Sequence, residues 1–299
     1  MATTSLMASP VSLQTLKSKL RDYYTLTKPE VNLLILMTTS AGYYLASRGP
    51  LRIAGLLNTL LGTLLVASGT ATLNQWMERV WDGKMRRTAS RPLPSGRLLA
   101  RDAFIFGILL SVAGGVYLLL AVNLLSSLLA VSTLLSYLLV YTPLKRKTPL
   151  CTLLGACPGA MPTLIGWAGA SGTINRQAWF LFAILFLWQF PHFLAIALMY
   201  RDDYSRAGYH MLPDFDPDTR FTRAEIVGFA LILVFATMLP LAGRGGLFSW
   251  AAMCVAGAFL LYHVGKLAAS SSTVMASRLL HASVLYLPVV LVIMVASKK

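Results

Sequence analysis

Residues 54–82 read AGLLNTLLGTLLVASGTATLNQWMERVWD. From Ala54 to Met77 the stretch holds no charged residue, and a helix of about 20 apolar residues crosses a hydrocarbon core. Its end is different in kind. Asn74, Glu78 and Asp82 recur at every fourth position, which on a helix sets them in one stripe drifting by about 40° per step. Carboxylates at the end of an apolar helix are costly against lipid, so the stripe is expected to face a bundle interior or a wet cavity.

Apolar blocks of this length recur along the chain. The predicted spans are about 31–47, 54–77, 103–121, 124–142, 150–170, 178–200, 224–242, 247–265 and 279–296. The expected fold is therefore all-α: a polytopic membrane protein of nine transmembrane helices. The connections are short, so consecutive helices pack antiparallel in a single membrane domain over residues 1–299, with 1–27 as an N-terminal cytoplasmic segment. Pro158, Pro162, Pro191, Pro240 and Pro288 fall inside spans, where neighbouring helices can satisfy the freed carbonyls. Composition agrees. Only 12 % of the residues are charged, about half the share of a soluble domain, and the mean hydropathy is +0.65.

The net charge of +15 does not imply nucleic acid, because the basic residues lie in short segments between apolar blocks rather than in one patch. With the N-terminus inside, twenty of the 26 Lys and Arg residues fall on one face and six, including Arg244 and Lys299, on the other. The richer face is then cytoplasmic. All eleven carboxylates fall on that same face, although acids contribute little to topology. The chemistry is expected there, in the plasma membrane of a bacterium. Cys151, Cys157 and Cys254 lie in apolar blocks without zinc or disulfide spacing and read as small buried side chains. Met1–Asp22 has no apolar core of the kind a cleavable signal carries.

The stripe Asn74, Glu78, Asp82 supplies oxygen donors of the kind Mg²⁺ takes together with substrate phosphate. A plainer reading stands beside it: Glu78 pairs with Arg79 and Asp82 with Arg86, as local interfacial ion pairs. A second acidic group, Asp202 and Asp203, follows the sixth span beside Arg201 and Arg206. Gly208 and Pro213 mark a helix end there. Two acid clusters on one membrane face can hold metal ions that bridge a diphosphate.

Four stretches carry a resemblance: TKPEV (Thr27–Val31), NQWMERVWDGKMRRTASRPLPSG (Asn74–Gly96), YTPLKRKTPLCTLLGACPGAMPTLIGWAGASG (Tyr141–Gly172) and WQFPHFLAIALMYRDDYSRAGYHMLP (Trp188–Pro213). Through them the chain resembles the intramembrane prenyltransferases of the UbiA type, and more narrowly their haem-modifying branch. The resemblance implies nine helices around a central cavity with two Mg-diphosphate motifs at its rim. Asn74, Glu78 and Asp82 stand for the first motif and Asp202 and Asp203 for the second, with Glu78, Asp82, Asp202 and Asp203 as metal ligands. Arg87, Arg91 and Lys145 fall where the family places basic residues near the diphosphate. The wider family commonly has Asp where Glu78 stands, and acids four residues apart where Arg206 and Ala207 follow the Asp pair.

The implied reaction moves a farnesyl group from farnesyl diphosphate to a vinyl group of haem b with addition of water, giving haem O and diphosphate. Haem is then a substrate and Mg²⁺ the cofactor. Enzymes or oxidase assembly proteins that use haem O are the implied protein partners. The alternative is a prenyltransferase acting on an aromatic quinone precursor. His192, eleven residues before Asp203, would sit about 16 Å below it on a continuous helix. It can ligate haem iron, or merely bond across helices. His210 can meet a haem propionate, whereas His263 and His281 read as interfacial. Trp167, Trp188, Phe190, Phe193 and Tyr200 either line a pocket or pack.

Overall fold

The computed structural model describes residues 13–241, 246–270 and 272–298; residues 1–12, Arg244 and Lys299 lie outside this range. All regular structure among the described residues is helical. A short helix α1 (Leu13–Leu26) leads into α2 (Pro29–Ala46), α3 (Ile53–Asp82) and α4 (Ala100–Ala121). Next, α5 (Leu124–Leu135) runs through a π-helical turn at Ser136–Tyr141 into α6 (Thr142–Leu144). The chain continues as α7 (Cys151–Ser171), α8 (Arg176–Met199), the short α9 (Arg201–Ala207), α10 (Arg220–Met238), α11 (Leu247–Ala269) and α12 (Thr273–Ala296).

Among the described residues, seven stretches are long and apolar enough to cross a membrane: α3, α4, Leu124–Leu144, α8, Arg220–Leu241, α11 and α12. The protein is thus an integral membrane protein of the all-α class. The other two expected spans, 31–47 and 150–170, are the helices α2 and α7, but neither reaches the same apolarity. Their Thr, Ser, Gly and Pro content explains this. They pack against one another, and α7 buries twelve of its residues, so neither helix depends on lipid contact alone.

The helix α8 is central, packed against α7, α10 and α12. Its core partners include Leu181, Ile184, Trp188 and Leu194, set against Ile226, Leu233, Leu260, Tyr286 and Val290. One end of the bundle carries the close of α3, the α8–α9 junction and the α11–α12 junction. There the Arg223 Nη1 donates to the Ala268 carbonyl at 2.6 Å. At the opposite end Lys298 Nζ donates to the Ser47 carbonyl at 2.6 Å.

Pro240 lies inside the span Arg220–Leu241, in a 3-10 turn at Leu239–Leu241 that closes α10, because a proline cannot donate to the preceding turn. Two sequence expectations need correction. Only Cys151 is buried, while Cys157 and Cys254 are exposed on outward helix faces. The helix from His192 towards Asp203 is not continuous. It breaks at Tyr200 (φ −114°), so the axial spacing of an unbroken helix does not apply.

Close approach of α2 and α7 depends on glycine. A Cβ at Gly166 would run into the Thr39 carbonyl oxygen, and one at Gly42 into the Thr163 carbonyl oxygen. Small residues let membrane helices reach this backbone-to-backbone distance. Gly166→Val is expected to destabilise the protein by about 3 kcal/mol, the upper end for overpacking. Thermal unfolding in detergent checks this; an unchanged midpoint would show that the α2–α7 contact yields freely.

Candidate active site

The charged end of the bundle is built on α3. Asn74, Glu78 and Asp82 are all buried, with 1 %, 6 % and 1 % exposure. Groups so placed must be paired, because neither lipid nor packed side chains solvate a carboxylate. Glu78 Oε1 accepts from Lys145 Nζ at 2.9 Å. Asp82 Oδ2 accepts from Arg91 Nη1 at 2.7 Å. Asn74 Oδ1 accepts from Lys28 Nζ at 3.2 Å, and its Nδ2 donates to Thr142 Oγ1 at 3.2 Å. The expected local pairs, Glu78 with Arg79 and Asp82 with Arg86, are not formed: Arg79 instead donates to the Trp76 carbonyl.

Each partner arrives through an irregular piece of chain. Lys28 precedes Pro29 and holds a left-handed backbone (φ 50°), a strained conformation for a residue other than glycine. Lys145 caps α6 beyond the π-helical turn, where Thr142 Oγ1 bonds five residues back to the Tyr137 carbonyl. Such widened turns favour functional sites. The Lys145 ammonium also lies 4.5 Å from the Tyr141 ring. Arg91 comes from the turn-rich segment after α3, held by Thr88 Oγ1 on the Asp82 carbonyl at 2.8 Å.

The second acidic group meets the first across this segment. Asp203 Oδ2 accepts from the Arg87 backbone N–H at 3.3 Å, and Oδ1 from Arg206 Nη1 at 2.9 Å. Asp203 is buried at 8 % exposure, whereas Asp202 is exposed. Successive residues on a helix point about 100° apart, so only one of the pair turns inward. Beyond α9, the His210 backbone N–H donates to the Lys145 carbonyl at 2.8 Å, tying the two motifs together. The neighbouring Tyr209 is buried beside Glu78, and its hydroxyl makes no hydrogen bond of normal length.

Electrostatics follow from this crowding. Burial, reinforced by the nearby Arg91, lowers Lys28 to about 7 despite the pull of Glu78. Burial would also lower Lys145, but the Glu78 carboxylate outweighs it and holds the ammonium well above its ordinary value. Burial pushes the Asp203 carboxyl up, yet the backbone amides of Arg87 and Arg86 and the Arg206 guanidinium hold it below the usual range. Burial and the Glu78 carboxylate raise the Tyr209 phenol.

Arg87 is exposed, its guanidinium 5.0 Å from the Tyr200 ring. The His210 imidazole lies 3.8 Å from Asp214 Oδ2, too far for a hydrogen bond, and its Nδ1 is buried without a partner. Beside the rim, a partly open cavity of about 40 Å³ is lined by residues including Tyr141, Phe193, Ile196, Tyr204 and Met211. It does not admit a prenyl chain unless side chains move. Deeper in α8, His192 stacks on Trp188 with ring centroids 4.5 Å apart, and its Nδ1 meets Ser283 Oγ at 2.9 Å. Trp188 Nε1 donates to the Ser283 carbonyl at 2.7 Å. Among the described residues the His192 Nε2 has no hydrogen-bond partner. Trp167, Trp188 and Phe190 are packed in the core, and Phe193 lines the cavity.

A family model, the UbiA prenyltransferase family, matches residues 35–285. The chain belongs to the UbiA prenyltransferase family. Among its curated relatives, protoheme IX farnesyltransferase of Solibacter usitatus is 49 % identical over 281 residues, covering 91 % of this chain and 96 % of that protein. The enzyme of the same name from Koribacter versatilis is 43 % identical, covering 94 % of each. Among solved structures, a digeranylgeranylglyceryl phosphate synthase superposes with a TM-score of 0.76 at 18 % identity, over 94 % of this chain and 99 % of that one. A UbiA homolog from Archaeoglobus fulgidus bound to GPP and Mg²⁺ gives 0.66 at 15 % identity, over 91 % and 99 %. These two share the UbiA fold with this chain.

Sequence alone assigns no role to Lys28 or Tyr209. For Lys28 the signal is a basic residue directly before Pro29, at the start of a span. Tyr209 gives none, since an aromatic residue in an acidic loop is ordinary.

Removing one member of a buried pair leaves the other charged and unsolvated. Lys145→Met is expected to cost about 3–5 kcal/mol by stranding Glu78. The double variant Lys145→Met/Glu78→Gln should recover most of that loss in the same unfolding measurement. A single variant as stable as the wild type would mean that Glu78 is not held by Lys145.

Proposed function

We propose that this chain transfers a farnesyl group from farnesyl diphosphate to a vinyl group of haem b with addition of water, giving haem O and diphosphate. The observation that carries the reading is the pairing of a buried cation-rich rim with an imidazole deeper in α8 whose Nε2 is unbound. The names borne by relatives 49 % and 43 % identical support the choice of donor and acceptor. The quinone alternative shares the rim but gives His192 no task.

The donors at the rim are all oxygen: the Asn74 amide and the Glu78, Asp82 and Asp203 carboxylates. Among the described residues no three His, Cys, Asp or Glu side chains gather closely enough to hold an ion by themselves. This set fits Mg²⁺, which completes its shell with water and substrate phosphate. Glu78 with Asp82 would hold one ion and Asp203 a second, with Asp202 left outside, and when bound they would add positive charge at the leaving diphosphate.

The chain's own residues do the remaining work. Lys145, Arg91 and Arg206 turn from their carboxylate partners, and Lys28 from the Asn74 amide, to the diphosphate oxygens and neutralise the leaving group. Arg87, exposed at the mouth, meets the incoming anion first. As the C–O bond breaks, the walls formed by Tyr141, Phe193, Ile196 and Met211 keep water from the allylic cation. His192 Nε2 ligates haem iron, with Ser283 fixing the ring through Nδ1, and His210 faces a propionate. The haem vinyl π electrons form the new C–C bond. Water then captures the resulting cation, and its proton leaves to solvent. The excess of basic residues at this end supports a cytoplasmic site, and the bacterial source of the relatives supports a bacterial plasma membrane. Haem O then passes to enzymes or oxidase assembly proteins that use it.

The test is mass spectrometry of haem extracted after the purified protein is incubated with haem b, farnesyl diphosphate and Mg²⁺. A product heavier by a farnesyl group plus water is expected, and chelation with EDTA should abolish it. Diphosphate release with unchanged haem would overturn the acceptor. In the same assay Asp203→Asn should lower turnover about 100-fold, whereas Asp202→Asn should change it by about twofold at most. Equal losses would remove the distinction between the two.

A further inference from the structure

The two faces of α12 differ. Ala282, Ser283, Tyr286 and Leu287 are buried, and Ser283 meets His192. His281, Val284 and Leu285 are exposed on the outward side. Between α11 and α12 on that side lies a groove of about 300 Å³ lined by Phe259, His263, Arg278, His281, Ala282 and Leu285. It shares no residue with the rim, and nothing described above uses it.

Three features of the groove are unusual for a lipid-facing surface. Arg278 is exposed and forms no ion pair among the described residues. A guanidinium on a spanning helix calls for an anion. No carboxylate lines the groove to provide one. Second, His281 Nδ1 lies 2.7 Å from the Ser277 carbonyl. A carbonyl can only accept, so Nδ1 carries the proton and Nε2 presents its lone pair, as in an imidazole prepared to bind metal. Third, His263 sits in the facing wall with edge-on contacts to Phe259 and Tyr262. A site for anions is thus followed, about one helical turn deeper, by nitrogen donors between apolar walls.

We propose that the groove between α11 and α12 is a second haem-docking site, with His281 as iron ligand, Arg278 as the partner of a propionate, and Phe259 and Leu285 against the porphyrin. It rests on the haem reading given above. A phospholipid headgroup would satisfy Arg278 but has no use for imidazoles set deeper in an apolar wall. Haem combines carboxylates at one edge with a Lewis acid at its centre. The placement also gives the site a task. Ser283 is two residues from His281, which is about 3 Å of rise and about 200° of rotation. The docking imidazole and His192 therefore lie at nearly the same depth on opposite sides of one helix. Haem arriving from the bilayer would be held with its propionates towards the charged end, the orientation in which it must reach His192.

The full chain in phosphatidylcholine nanodiscs is titrated with haem b and followed by Soret absorption, alongside His281→Ala, His281→Gln, Arg278→Gln and His192→Ala. The wild type should bind two haems. Both His281 variants should bind one and raise the KM for haem about tenfold, while His192→Ala keeps the groove haem but forms no product. Two haems and an unchanged KM in both His281 variants would overturn the proposal. So would one haem in the wild type together with Arg278-dependent retention of added phosphatidylglycerol, which would make the groove a lipid site. If the wild type turns haem over but binds only one, this inference alone falls. If it neither binds nor converts haem, the acceptor reading falls with it.

Discussion

A charge inside a helical membrane bundle must be paired, and the architecture at the charged end serves that requirement. Glu78 and Asp82 are each buried against a basic side chain from another segment, and Asp203 against Arg206 one turn on and the Arg87 amide from the segment after α3. An isolated carboxylate at such a position would be protonated or would open the bundle to water. Pairing by itself adds little stability, because desolvation offsets most of the Coulomb attraction. The arrangement instead supplies a set of cations poised around oxygen donors, already desolvated and positioned. On the proposed function, an incoming diphosphate takes over partners that the carboxylates have held in place. This is the preorganisation that makes electrostatic stabilisation effective in a dry site.

The departures from regular helix lie where this pairing needs them. Lys28 in its left-handed conformation turns the chain from α1 into α2 and aims its ammonium at Asn74. The π turn at Ser136–Tyr141 precedes Lys145, and the break at Tyr200 separates the membrane helix α8 from α9, which bears Asp203. The segment after α3 folds back through a chain of turns so that Arg91 reaches Asp82 while the Arg87 amide reaches Asp203. Leu26, Leu93, Leu98 and Ala103 pack beneath it and fasten α1, this segment and α4 together. The regular helices provide a frame, and these irregular joints bring distant residues to one point.

That division explains what could be read from sequence. Apolar length and four-residue spacing are local properties, so the helices and the stripe Asn74, Glu78, Asp82 were legible. Apart from Arg206 beside Asp203, the partners were not. Local spacing pointed to Arg79 and Arg86, whereas Lys145 lies 67 residues from Glu78, and no periodicity connects them. Inward and outward faces were equally hidden for Asp202 and Asp203, because the break at Tyr200 resets the helical phase. The exposed Cys157 and Cys254 show the same limit: an apolar block can face lipid as readily as core. Mean apolarity also treats α2 and α7 unlike their neighbours, since helices enclosed by other helices can carry Thr, Ser and Gly without meeting lipid. His192 read as either a ligand or a cross-helix bond, and the structure shows the bond at Nδ1 while leaving Nε2 open.

The central claim is that the basic residues at the rim exchange their carboxylate partners for the diphosphate. The most direct test is a pair of experimental structures, with and without Mg²⁺ and a non-hydrolysable farnesyl diphosphate analogue. The Lys145–Glu78 separation should lengthen from 2.9 Å to beyond hydrogen-bond reach as Lys145 turns to the diphosphate. A diphosphate bound at the rim with that ion pair intact would contradict the account.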